Sequence, residues 1–103
     1  MIRHVVMWKL KDEAEGASKE RNAEKMKLIL EGLKISIAEI KNIEVGININ
    51  GEDGQAADVV LISDFETDLD FTMYTRNPQH QKALKFINAV TEDRQFVDYK
   101  MDI

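Results

Sequence analysis

Ile2-Arg3-His4-Val5-Val6-Met7-Trp8-Lys9-Leu10 is the stretch on which the architecture turns. Side chains of a strand alternate between faces, so Ile2, His4, Val6, Trp8 and Leu10 share one side. Val5 and Met7 fall on the other, between Arg3 and Lys9. Residues 58–66 repeat the pattern. Val59, Leu61, Ser63 and Phe65 face one way, with Val60 and Ile62 between Asp58 and Asp64 on the other. Both strands therefore carry apolar residues on both faces.

Two more strands flank them in sequence. Residues 43–50 alternate strictly, Ile43, Val45, Ile47 and Ile49 against Glu44, Gly46, Asn48 and Asn50. Residues 95–101 set Val97, Tyr99 and Met101 on one face and Phe96 on the other. Helical periodicity fills the gaps. After a charged loop from Lys11 to Ala17, Ser18 suits an N-cap, and Glu20 meets the positive dipole end of the first turn. Ala23, Met26, Leu30, Leu33 and Ile37 form a stripe that Ile29 widens, and the helix end falls between Lys34 and Ala38. Gly51 to Gly54 make a turn, and Gln55 to Ala57 complete that loop. Thr67 or Asp68 caps a short helical stretch holding Phe71, Met73 and Tyr74. Asn77 and Pro78 restart a helix, as N-cap and first residue, with Ala83, Leu84, Phe86, Ile87 and Val90 as its buried face.

The order strand, helix, strand, strand, helix, strand is the split βαββαβ arrangement, an α+β ferredoxin-like subunit spanning residues 1–103 as one domain. Helices on one face of an antiparallel sheet leave the other to solvent, which should then be polar. Val5, Met7, Val60 and Ile62 are not. The economical solution is a second copy packed sheet to sheet in an isologous homodimer.

Composition narrows the function. The formal charge is −5, and no basic residue occurs between Lys41 and Arg76, a span holding eight acids. Nucleic-acid binding requires clustered Lys and Arg to displace phosphate counterions, and anionic membrane surfaces require the same, so neither partner is expected. Cysteine is absent, which removes disulfides, thiol nucleophiles and Cys-based metal sites. No signal-peptide core or membrane-spanning run is seen, so a cytoplasmic location is expected.

In order along the chain, His4-Val-Val-Met-Trp-Lys-Leu-Lys, Ile43-Glu-Val-Gly46, Ser63-Asp-Phe-Glu66, Tyr74-x-x-x-Pro78-x-His80-Gln81 and Arg94-x-x-Val-Asp98-Tyr99 resemble the stress-responsive dimeric α/β-barrel (Dabb) family. The resemblance implies a dimeric α/β barrel of two ferredoxin-like subunits. The family's Ile-Pro-Gly-Ile turn is replaced here by Ile37-Ala38-Glu39-Ile40, in which Ala and Glu let the helix continue. The cation that some relatives hold near that helix end is therefore not assigned, and no cofactor or metal is expected.

The resemblance also implies a catalytic trio: His80 as base, Tyr74 as its orienter or as donor, and His4 as a supporting polar contact. In a plant branch that looks like polyketide cyclases, such groups promote aldol closure of a keto chain. The chemistry needs a base for an acidic C–H and a donor for the enolate oxygen. The non-catalytic reading makes these residues half-buried packing groups, with His4 bonded to a backbone carbonyl. Few aromatics are present, and Ala23 and Met26 are expected along the pocket. Asp98 is expected to accept from a backbone donor or Arg94, and Tyr99 to pack under the helices. Asp64, Glu66, Asp68 and Asp70 resemble a calcium loop, but Leu69 and Thr75 stand where glycine and an acid are required, so a solvated strand end is expected. The principal expectation is a homodimeric Dabb-domain protein of undefined activity, for which a small apolar or aromatic metabolite is the suggested ligand. The rival is proton-transfer or aldol chemistry through His80 and Tyr74, and a cofactor-free monooxygenase is a further option by fold analogy alone.

Overall fold

The computed structural model describes residues 1–102. Its elements run β1 (Ile2–Leu10), β2 (Glu13–Ala14), β3 (Ala17–Ser18), α1 (Lys19–Ser36), β4 (Asn42–Ile47), β5 (Val59–Phe65), α2 (Asp68–Arg76), α3 (Pro78–Val90) and β6 (Thr91–Lys100). The main sheet is antiparallel, in the order β4-β5-β1-β6, which is the ferredoxin-like topology. Apolar residues of β1 and β5 meet the stripe of α1 and the inner face of α3. Val6, Leu10, Met26, Leu30, Leu61, Phe65, Ile87 and Val90 are almost fully buried there.

Local chemistry sets the element ends. Ser18 Oγ accepts from Arg21 N–H at 3.3 Å, Thr67 Oγ1 from Asp70 N–H at 3.1 Å and Asn77 Oδ1 from Gln79 N–H at 2.8 Å. Thr67, rather than Asp68, is thus the cap of α2. Helix α1 stops at Ser36 although Ala38 and Glu39 are helix-compatible, because Ile37 turns to extended backbone and buries completely.

The expected loop over residues 11–17 holds a small hairpin, β2 with β3. Glu15 and Gly16 both take positive φ (52° and 74°), the backbone of a primed two-residue turn. Buried Asn22 donates to Ala14 O at 3.0 Å and ties the hairpin to α1. Strand β4 ends at Ile47, three residues before the alternation does. Asn48 donates from Nδ2 to Ala57 O and accepts at Oδ1 from Asn50 N–H, which turns the chain and leaves Ile49 in solvent. Strand β6 is longer than expected, and every residue after Thr91 is exposed, because it is an edge the helices do not reach.

The face opposite the helices is apolar and open. Val5, Val60 and Ile62 are half-buried, while Met7, Val97 and Tyr99 are exposed. Tyr99 lies across from Arg3 on this face, and does not pack under the helices. Gly46 keeps the face flat over β5, since a Cβ there would meet Val60 Cγ1 at 3.2 Å. At its end, Arg3 clasps Asp64 with two hydrogen bonds of 2.7 and 2.9 Å. Asp64 is therefore buried and paired rather than solvated, and the Arg3 guanidinium holds its carboxyl below the usual carboxylate range. No helix among the described residues is long and apolar enough to cross a membrane.

Candidate functional site

His4 sits at the middle of β1, paired across the sheet with Ser63 of β5 on one side and Asp98 of β6 on the other. All three lie on the helix side. His4 is 7 % exposed, and its Nδ1–H donates to the Asp98 carboxylate. The expected backbone carbonyl is not the partner of His4, nor is Arg94 the partner of Asp98. The carboxylate fixes the imidazole tautomer and leaves Nε2 as the free nitrogen. Serine, histidine and aspartate in one row suggest a nucleophilic triad, but the arrangement cannot act as one. Ser63 Oγ is fully buried and has no hydrogen-bond partner, so no substrate carbonyl can reach it.

Helix α2 lays Phe71 and Tyr74 over this row. The Phe71 ring is 5.0 Å from the His4 ring, and Phe65 is 4.9 Å from Tyr74. The Asn77–Pro78 restart then brings His80 back to Tyr74, with ring centroids 4.3 Å apart. His80 Nδ1–H donates to Thr75 O at 3.3 Å, which again leaves Nε2 free, because a carbonyl oxygen can only accept. Tyr74 and His4 are 6.2 Å apart. The structure thus gathers His4, Tyr74 and His80 around one space, a cavity of about 250 Å³. Its walls are Val6, Trp8, Leu30, Leu61, Leu84 and Ile87, and Asn88 and Arg94 add polar atoms.

Electrostatics separate the two rings. Burial pushes the Tyr74 phenol up to about 12, with the Arg94 charge pulling weakly the other way. That hydroxyl remains protonated near neutral pH and can only donate its proton or accept a hydrogen bond. Burial lowers the pKa of His80, opposed by the Thr75 carbonyl and helped by His4 and Arg94. A neutral imidazole with a free Nε2 can accept a proton.

The α1 residues expected at the pocket are placed differently. Met26 is sealed in the core, and Ala23 borders another cleft, whereas Leu30 reaches the cavity. That other cleft is larger, about 600 Å³, between the start of α1 and the β4–β5 loop. Its Lys19 already lies 3.5 Å from Asp12 and 3.8 Å from Asp58, and the cleft gathers none of the aromatic or imidazole groups. Among the described residues, no group of three or more His, Cys, Asp or Glu side chains is placed to hold a metal. Sequence reasoning missed the His4–Asp98 pair and the place of Arg94 in the wall. Both follow from the β1–β6 register, which shifts between Lys9 and Leu10.

Residues 2–101 match the family described as the Stress responsive A/B Barrel Domain, Dabb. No curated protein matches the chain. Among solved structures, a dimeric protein of unknown function with a ferredoxin-like fold from Bacteroides fragilis is 31% identical, with a TM-score of 0.81 over 97% of this chain and 95% of that one. A dimeric ferredoxin-like protein of unknown function from Thermobifida fusca is 24% identical, with a TM-score of 0.81 over 97% and 90%. A hydroxynitrile lyase from Passiflora edulis shares the fold at 16% identity, with a TM-score of 0.81 over 98% and 93%. The pattern match over nearly the whole chain, joined to the ferredoxin-like sheet order, makes this protein a member of the stress-responsive A/B barrel (Dabb) family.

Proposed function

We propose that this Dabb protein is a homodimer that holds a small apolar or aromatic metabolite in the cavity between α3 and the sheet. The observation that carries the reading is the cavity itself: an apolar wall into which one phenol and two imidazoles converge. Binding sites of small molecules have that composition, a mostly apolar lining with few placed polar groups. At about 250 Å³ the space is small. A cavity of roughly 150 Å³ suffices for benzene, so a single ring with short substituents is the size that fits. The homodimer rests on the apolar open face of the sheet and on the dimers formed by the two bacterial relatives.

Binding is tested by titrating one-ring aromatic fragments while recording the side-chain NMR signals of His4, Tyr74 and His80. Saturable shifts at all three, with unchanged signals at the open face, are expected. A fragment set that moves none of them at millimolar concentration sinks the reading.

A second reading, proton transfer on a keto compound, is favoured by the contact between Tyr74 and His80. In it His80 Nε2 removes a proton from the carbon beside a carbonyl, and the Tyr74 hydroxyl donates to the oxygen that becomes enolate. His4, held by Asp98, is the supporting contact. The measurement is deuterium uptake at the acidic carbon of a small β-keto ester in D2O. His80→Gln should abolish any enzyme-dependent exchange with little change in melting temperature. Exchange surviving in that variant would remove His80 from the role.

A further inference from the structure

Among the groups around the cavity, Arg94 is not accounted for by packing or by pairing. It projects from β6 on the helix side, opposite Trp8 in the β1–β6 register, and borders the cavity with Asn88 and His80. Its guanidinium lies over the Phe96 ring, 4.6 Å from the centroid. Stacking of this kind holds the plane while leaving the edge N–H groups free. No ion pair among the described residues involves Arg94, although Asp93 and Glu92 are its neighbours in sequence. Asp93 instead accepts from the Arg94 backbone N–H at 2.8 Å, and Glu92 lies beside Lys9. Arg94 is therefore a cation without an anionic side-chain partner at the cavity wall, able to make a charge-assisted contact with an anion.

We propose that the cavity takes a small carboxylate, its anionic end held at the rim by the Arg94 guanidinium and its apolar body directed inward against Tyr74 and His4. The proposal rests on the ligand-binding reading above and specifies its chemical class. The two ends of the space differ in charge. On the His4 side the Asp98 carboxylate, bonded to the imidazole and outside the cavity wall, disfavours a second anion; Arg94 stands in the wall itself. A ligand with one anionic and one apolar end therefore has a single favoured orientation. That orientation sets the ligand's body beside the Tyr74 hydroxyl and the free nitrogens of both imidazoles. The Arg94 charge also reaches into the site, since it bears on both Tyr74 and His80.

Matched pairs of probes test this: benzoate with benzamide, and phenylacetate with phenylacetamide, titrated into the full chain by NMR or calorimetry. Each acid is expected to bind roughly tenfold more tightly than its amide, the size of one charge-assisted contact at a partly wet rim. In 0.5 M NaCl the preference should shrink through screening. Arg94→Gln should remove the preference without weakening the amides, and Arg94→Lys should keep part of it. Melting temperature serves as the control for folding. Amides and acids binding equally, or a preference that survives in Arg94→Gln, overturns the anionic class while leaving the cavity a binding site. Failure of all four probes overturns the binding reading and this proposal together.

Discussion

On the helix side of the sheet Leu61 and Phe65 are 1 % and 0 % exposed, whereas on the opposite side Met7, Val97 and Tyr99 are 43 %, 54 % and 45 % exposed. These residues come from β1, β5 and β6, strands that contribute to both faces. The faces do not differ much in hydrophobic content: Val5, Val60 and Ile62 back onto Val6, Val59 and Leu61. They differ in what lies over them. Helices α1 and α3 cover one face and leave a cavity there, while among the described residues no helix covers the other. An open face with so many apolar residues is the kind of surface that the proposed homodimer would bury.

The largest test of that contrast is Phe65→Ala. It opens a void on the sealed face and should cost about 3–5 kcal/mol in urea unfolding. Val60→Asp strikes the open face. It should shift sedimentation from a particle of about twice the 11.8 kDa chain toward a folded single chain, weakening association on the order of a hundredfold. If Val60→Asp instead unfolds the subunit as severely as Phe65→Ala, the two faces are not distinct in kind.

A pH titration separates them more finely. On the sealed face His80 has a folded pKa below its ordinary value, so the unfolded chain takes up a proton first. Its contribution is complete above about pH 6.5 and is lost as pH falls through the lower folded value. On the open face Asp64 is held down by Arg3, so its contribution is complete above about pH 4 and is lost as pH falls further. Urea midpoints measured across pH should show both steps, with His80→Gln erasing the upper and Asp64→Asn the lower. The smallest expected effect is a gain. Ser63→Ala removes a buried hydroxyl without a partner and should stabilise the protein by about 1 kcal/mol. A loss of stability there would mean that the hydroxyl has a partner, bound water being the candidate.

The elements were legible because their signals are local. Alternation in residues 2–10, the three-and-four spacing of α1, and the caps Ser18 and Asn77 all act within a few residues. The hairpin at Glu15–Gly16 was not, since glutamate is an uncommon occupant of a positive-φ turn position. The early end of β4 was hidden for a related reason. Ile49 continues the apolar alternation, yet the side chain of Asn48 outweighs it by bonding Ala57 and Asn50. Asp64 read as one more acid in an acidic run, and only its pairing across the sheet with Arg3 made it a buried ion pair.

By itself the chain of residues determined the order of strands and helices and the apolar faces, because periodicity and capping depend on near neighbours, while the candidate trio His4, Tyr74 and His80 came only from the resemblance of its motifs to the family. Tertiary structure alone decided that His4 pairs with Asp98 across 94 positions, that Tyr74 rests on His80, and that Arg94 stands free at the rim. Those facts follow from strand register and helix docking, which are settled by packing among segments far apart in sequence, and no local pattern encodes them.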